Sequence, residues 1–182
     1  MKASDLVQEK GIQSIMGNHD AAIVDGSYDI MNPQAKLALQ YTHKIISEEN
    51  IKYLNSISKK LTIHIEDVTL CAYHGGPLSP LRQYVYPWAP RNFLRTLVDM
   101  VEGNVLILDH THIPMIFDFN DKLLINLGSV GQPRDKNSQA SYMILQIEGT
   151  KINVEHYRVD YNIDVVMSKI IEDGLPPLLP IV

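Results

Sequence analysis

The spacing of apolar positions changes several times along the chain, and each change marks an element. Ser4 and Asp5 open a short helix running through Lys10, with Gly11 as its stop. Ile12 to Met16 reads as a strand that turns sharply at Gly17. Asn32-Pro33 opens a helix, Asn as cap and Pro in the first turn, with Leu37, Tyr41 and Ile45 as its i, i+4 stripe. Ser47-Glu48-Glu49 opens a shorter one that buries Ile51, Leu54 and Ile57. From Leu61 the period becomes two: Leu61, Ile63 and Ile65 alternate with Thr62, His64 and Glu66. Glu66-Asp67 then turns the chain into a second strand, Val68 to Tyr73.

That strand ends in His74-Gly75-Gly76-Pro77, where two glycines let the backbone bend closely past whatever the histidine touches. A loop from Pro80 to Pro90 carries Arg82, Tyr84, Tyr86 and Trp88. Arg91 to Val101 predicts a helix with Phe93, Leu94, Leu97 and Val101 inward, ended by Gly103. Val105 to Leu108 is wholly apolar, the pattern of a strand covered on both faces, and it ends in Asp109-His110-Thr111-His112. Two hairpins follow, Met115 to Asn126 around Asn120-Asp121 and Ser141 to Val159 around Gly149. A helix from Asn162 to Asp173 is stopped by Gly174 and Pro176. No internal repeat or linker divides the chain, so a single domain over 1–182 is expected.

Composition narrows the function classes. A hydrophobic content of 45% with 20% charged residues is that of an ordinary globular protein. A formal charge of -5 argues against a surface that coats nucleic acid. It leaves room for a small phosphorylated substrate, because a bound metal supplies positive charge locally. One cysteine, Cys71, allows no internal disulfide and reads as an inert core residue. With no apolar run long enough for a membrane span and no signal-peptide core at the N-terminus, a cytoplasmic location is expected.

The candidate chemistry is positional. Asn18-His19, His74, and His110 with His112 each follow a predicted strand, and strand ends of α/β sheets are where ligands bind. Imidazole and amide donors suit Mn, Fe, Co, Ni or Zn. His110 and His112, two apart on an extended segment, would point to opposite sides.

Four segments in order, Gly17-Asn18-His19-Asp20, His74-Gly75-Gly76-Pro77, Asp109-His110-Thr111-His112 and Asn126 to Arg134, resemble the later motifs of the calcineurin-like metallophosphoesterase superfamily, in its small phosphodiesterase-like branch. The likeness extends from Leu6 to nearly the end of the chain. It implies an α/β fold, an αββα sandwich of two mixed sheets with helices outside. It implies a hydrolase, a phosphodiesterase or phosphatase acting on a small phosphorylated substrate by metal-activated hydroxide. By the same resemblance, Asn18, His74 and His110 would hold the second of two ions, and His112 the first. His19 would steady the phosphoryl group or protonate the leaving oxygen, with Asp20 orienting it.

The sequence departs from that pattern at its start. The family opens with Asp-X-His and Gly-Asp motifs, and neither occurs in this sequence. Only sixteen residues precede Gly17, too few for a βαβ unit of roughly 30. The expectation is a fold truncated at its N-terminus, a fragment of a longer protein, in which one ion or none replaces the pair. Exposed sheet edges would invite a homo-oligomer that covers them. The alternative function is a non-catalytic scaffold or interaction module of the same fold, resembling the retromer subunit. A smaller departure is Asp109, where the family has glycine: its carboxylate either tolerates the turn or replaces a lost ligand.

Blander roles are open for each residue. Asn18 suits a helix cap, and His74, His110 and His112 suit satisfied polar strand ends. His43, His64 and His156 read as surface or packing residues. Arg134 is a candidate for a substrate phosphate. Tyr84 and Trp88 either stack on a nucleoside-like substrate or pack their loop down.

Overall fold

The computed structural model describes residues 3–29 and 31–175. Pro176, read above as part of the final helix stop, lies outside them. The chain divides into two compact units: residues 3–58 with 162–175, and Lys59–Tyr161.

The first unit is helical. It holds α1 (Ala3–Glu9), α2 (Asn18–Asp25), α3 (Pro33–Ile45), α4 (Glu48–Ser56) and α6 (Ile163–Glu172). The caps are those the sequence announces. Asn32 accepts from the Ala35 N–H at 2.9 Å, Ser47 from Asn50 at 3.2 Å and Asn162 from Val165 at 3.1 Å. Ala22, Ile23, Leu39 and Leu54 form the core of this unit. Asn50 is buried among them and ties α1 to α4: its amide oxygen accepts from Gln8 and its amide nitrogen donates to Asp5, both at 2.7 Å. The stripe expected on α3 is corrected: Leu39 is buried, whereas Leu37 and Ile45 are exposed.

The strand expected over Ile12 to Met16 does not form; Ile12–Gly17 carry no ladder pairing. The Ile12 N–H donates to the Val7 carbonyl at 3.0 Å and the Met16 N–H to the Ser58 carbonyl at 2.9 Å. Strand propensity needs a neighbouring strand to become a sheet, and the strands among the described residues are all in the second unit.

The second unit is a mixed sheet in the order β1-β2-β3-β5-β4 with a two-stranded sheet, β6-β7, beside it. The strands are β1 (Lys60–Ile65), β2 (Val68–Tyr73), β3 (Val105–Leu108), β4 (Met115–Asp118), β5 (Leu123–Asn126), β6 (Ala140–Glu148) and β7 (Lys151–Val159). Strands β2, β3 and β5 run parallel; β1 and β4 are antiparallel edges. Of the two sheets expected to be mixed, the larger is, and the smaller is an antiparallel hairpin.

Period-two alternation sorts the central strands between two cores. Cys71, Tyr73, Leu106, Leu108 and Leu124 face helix α5 (Arg91–Asp99), which contributes Leu94, Leu97 and Val98. Val68, Leu70, Val105 and Ile125 face the opposite way, onto Met143, Leu145, Ile147, Ile152 and Val154 of the hairpin. Phe93, expected inside, is on the exposed side of α5, and Val98 takes the inner place. Lys122 closes the end of α5, donating to the Val98 and Val101 carbonyls at 3.0 and 2.7 Å. Among the described residues, no helix is long and apolar enough to cross a membrane.

Two substitutions separate buried from merely apolar positions. Leu106→Ala empties a wholly buried site and should cost about 2–5 kcal/mol in urea unfolding. Leu37→Ala, on an exposed helix face, should stay within about 0.5 kcal/mol of the parent.

Candidate metal centre

Three parallel strands in adjacent places bring their carboxyl ends to one edge of the sheet. His74 follows β2, Asp109-His110-Thr111-His112 follows β3, and the loop to Arg134 follows β5. The His110 ring packs edge-on to His74, with Nδ1 of His110 at 2.9 Å from Nε2 of His74. Both side chains are buried. The other nitrogen of His74, Nδ1, lies 3.5 Å from the Asp109 carboxylate. That carboxylate therefore favours the Nδ1–H tautomer, which leaves the Nε2 lone pair facing His110. The other nitrogen of His110, Nε2, is buried without a hydrogen-bond partner.

His112 is oriented separately. Its Nδ1 donates to the Gln132 carbonyl at 2.7 Å, so the lone pair is on Nε2. The Arg134 N–H returns to the His112 carbonyl at 3.1 Å, which binds the two loops together. The extended segment expected here is a turn instead: His110 and His112 both take left-handed backbone, with φ of 55° and 59°. Thr111, between them, is buried and its N–H donates to the Asp109 carbonyl at 2.6 Å. The two imidazoles have separate partners, His74 for His110 and the Gln132 carbonyl for His112, on a chain that kinks at each. Asp109 is also clarified: the left-handed positions are its neighbours, and its carboxylate backs His74 rather than joining the imidazole nitrogens that converge.

Asn126 is the residue that sequence reasoning quoted without giving it a role. It is fully buried at the end of β5. Its amide nitrogen donates to the Asp109 carbonyl at 2.6 Å and to the Thr111 hydroxyl at 3.1 Å, and its oxygen accepts the Gly128 N–H at 2.9 Å. One amide thus fastens the histidine turn to the next loop. The signal was a polar residue closing an otherwise apolar strand, Leu-Leu-Ile-Asn. Close approach explains one glycine here. A Cβ on Gly75 would lie 2.7 Å from the Ser79 oxygen and from the Gln83 nitrogen, both main chain.

The first-unit residues are placed by α2. Gly17 is its N-cap and Asn18 its first residue, half-buried, with the amide nitrogen 3.9 Å from the Met31 sulfur. His19 is exposed in the first turn, and Asp20 accepts the Gly17 N–H at 2.8 Å. The cap expected of Asn18 therefore falls to Gly17, with the Asp20 carboxylate closing the turn. Among the other histidines, His64 bonds Thr69 at 2.9 Å on an exposed strand face, and His156 bonds the buried Ser141 at 2.7 Å.

The donors in the sheet unit suit a cation in part. The unpartnered His110 Nε2, and the His74 Nε2 once it gives up the 2.9 Å hydrogen bond from His110, are the lone pairs this pair offers a cation. Among the described residues, no three His, Cys, Asp or Glu side chains group as a metal cluster, so the pair needs further oxygen or water donors. Burial, then the nearby His74, lowers the His110 pKa from 6.5 to about 4, and burial lowers that of His112. Both imidazoles are therefore neutral at pH 7, the form that binds metal.

Two measurements follow from this geometry. Below pH 6.5 the unfolded chain binds protons that the folded imidazoles refuse, so unfolding stability should fall as pH is lowered towards about 4. His110→Asn should flatten that fall, and the urea midpoint followed against pH measures both. Asn126→Leu should cost about 1–3 kcal/mol by stranding buried partners, and should weaken Mn²⁺ binding in calorimetry.

Comparison with known proteins gives the family and the fold. The calcineurin-like phosphoesterase superfamily domain matches residues 2–150. An uncharacterised protein of Methanocaldococcus jannaschii is 31% identical over 194 residues, covering 96% of this chain and 76% of the relative. A metallophosphoesterase from Sphaerobacter thermophilus superposes with a TM-score of 0.76 at 27% identity, covering 95% of this chain and 76% of that one. A hypothetical protein from Pyrococcus horikoshii shares the fold, with a TM-score of 0.84 at 18% identity over 94% of this chain and 73% of that one. By its matched domain and by these likenesses, the chain belongs to the calcineurin-like phosphoesterase superfamily.

Proposed function

We propose that the protein is a metal-dependent phosphoesterase that hydrolyses a P–O bond of a small phosphorylated substrate. The observation that carries this reading is the pair of buried imidazoles, His74 and His110, whose ring nitrogens lie 2.9 Å apart at the carboxyl ends of adjacent parallel strands. The family generally uses divalent metals. A bound divalent cation of the Mn, Fe, Co, Ni or Zn kind would lower the pKa of water and offset phosphoryl charge.

The protein's own residues prepare for that chemistry. His74 presents Nε2 because Asp109 sits on its Nδ1, and His112 presents Nε2 because the Gln132 carbonyl takes its Nδ1–H. Asn126 and Thr111 fix the turn from which His110 and His112 project. In the roles that the family resemblance implies, Asn18 would add an amide oxygen to a ligand set and His19 would pass a proton to the leaving oxygen. Asp20, whose carboxylate accepts the Gly17 N–H in the first turn of α2, would orient His19 in that role.

A non-catalytic scaffold is the second reading. It draws support from the absence of a three-residue metal cluster among the described residues, and from the lack of Asp-X-His and Gly-Asp anywhere in the sequence. Hydrolysis of bis(p-nitrophenyl) phosphate with added Mn²⁺ separates the two. Turnover should appear with Mn²⁺, vanish with a chelator and drop at least about 100-fold in His74→Ala and Asn18→Ala. Clean, folded, Mn²⁺-treated protein that binds no metal and turns nothing over would leave the scaffold.

A further inference from the structure

The loop after His74 carries a feature that the ligand set does not use. From Tyr84 to Ala89 the side chains alternate. Val85 is buried at 2% exposure and Ala89 packs on the same core, while Tyr84, Tyr86 and Trp88 go to the other side. The three rings form a file. Trp88 stacks on Tyr86 with centroids 4.7 Å apart and 11° between planes, and Tyr86 stacks on Tyr84 at 5.9 Å and 16°. Tyr84 in turn lies over the His110 ring, centroid to centroid 4.1 Å.

These rings do not hold the loop down. Val85 and Ala89 do that, and Trp88 is left 70% exposed with Tyr84 52% exposed. A protein gains nothing in folding from an indole in water, so an exposed file of parallel rings ending on a candidate ligand histidine points to a ligand. Stacked rings accept another flat ring on the open face or along the file. The chain's charge of -5 makes a long polyanion a poor occupant, and favours one compact ligand.

We propose that Tyr84, Tyr86 and Trp88 form a stacking platform for a planar aromatic group carried by the phosphoester. The ring lies on the open face of Trp88 at the end of the file, and the phosphoryl group points along the file towards His110. This rests on the phosphoesterase reading and adds a substrate class to it. A nucleobase and a simple aryl group share this chemistry.

Trp88 is the single tryptophan, so its fluorescence reports the platform directly and without turnover. The full chain is titrated with adenosine monophosphate, phenyl phosphate and ribose 5-phosphate, each with Mn²⁺ and with a chelator. The expected result is saturable quenching by at least one of the two aromatic esters and none by ribose 5-phosphate. Quenching by both identifies an aryl platform, and by the nucleotide alone a nucleobase platform. Trp88→Leu should weaken the quenching ester at least about ten-fold in calorimetry and leave ribose 5-phosphate unchanged. The proposal is overturned if ribose 5-phosphate binds as tightly as the aromatic esters, if neither aromatic ester quenches, or if Trp88→Leu binds like the parent. Quenching that survives in protein without hydrolase activity would mark failure of the phosphoesterase reading alone. Turnover without quenching would mark failure of the platform alone.

Discussion

The parallel register of β2, β3 and β5 is the constraint on which the histidine cluster depends. Leu70 pairs with Val105 and Val105 with Leu123, so three chains end side by side on one edge of the sheet. Backbone pairing sets that edge before any side chain is placed. The loops leaving it must then be held without further ladder bonds. The buried Asn126 amide does this for two of them at once. Because it sits in an apolar interior, its hydrogen bonds have no water to compete with them, and leaving one unmade is expensive.

Legibility in the sequence followed the length scale of the forces. Strands covered on both faces, such as Val105 to Leu108, were plain because burial on two sides demands an unbroken apolar run. Caps at Asn32, Ser47 and Asn162 were plain because one side chain answers one backbone N–H. The stripe on α3 was misread because Leu37 and Leu39 are equally apolar, and tertiary packing chooses between them. Ile12 to Met16 has strand composition but lacks strand partners, a fact that no local pattern contains.

At the candidate centre, residue identity was legible and conformation was not. The order of His74, His110 and His112 along the chain suggested convergence on a strand-end edge, and the first two do meet. The kinks at His110 and His112 were not read, since histidine is enriched in left-handed backbone yet far more often takes other conformations. Nor was the job of Asp109, whose carboxylate reaches a residue thirty-five positions earlier in the chain. The alternation of Tyr84, Tyr86 and Trp88 with Val85 and Ala89 was visible as spacing, but which side met the core was not.

The left-handed backbone at His110 and His112 also restricts what can stand in their place. A β-branched residue there would pay for its conformation as well as for the lost imidazole, whereas asparagine or glycine would pay only the second cost. Drift at these positions is therefore filtered twice, by chemistry and by shape. A relative that lost the imidazoles would still be steered toward asparagine, aspartate and glycine by the left-handed turn alone.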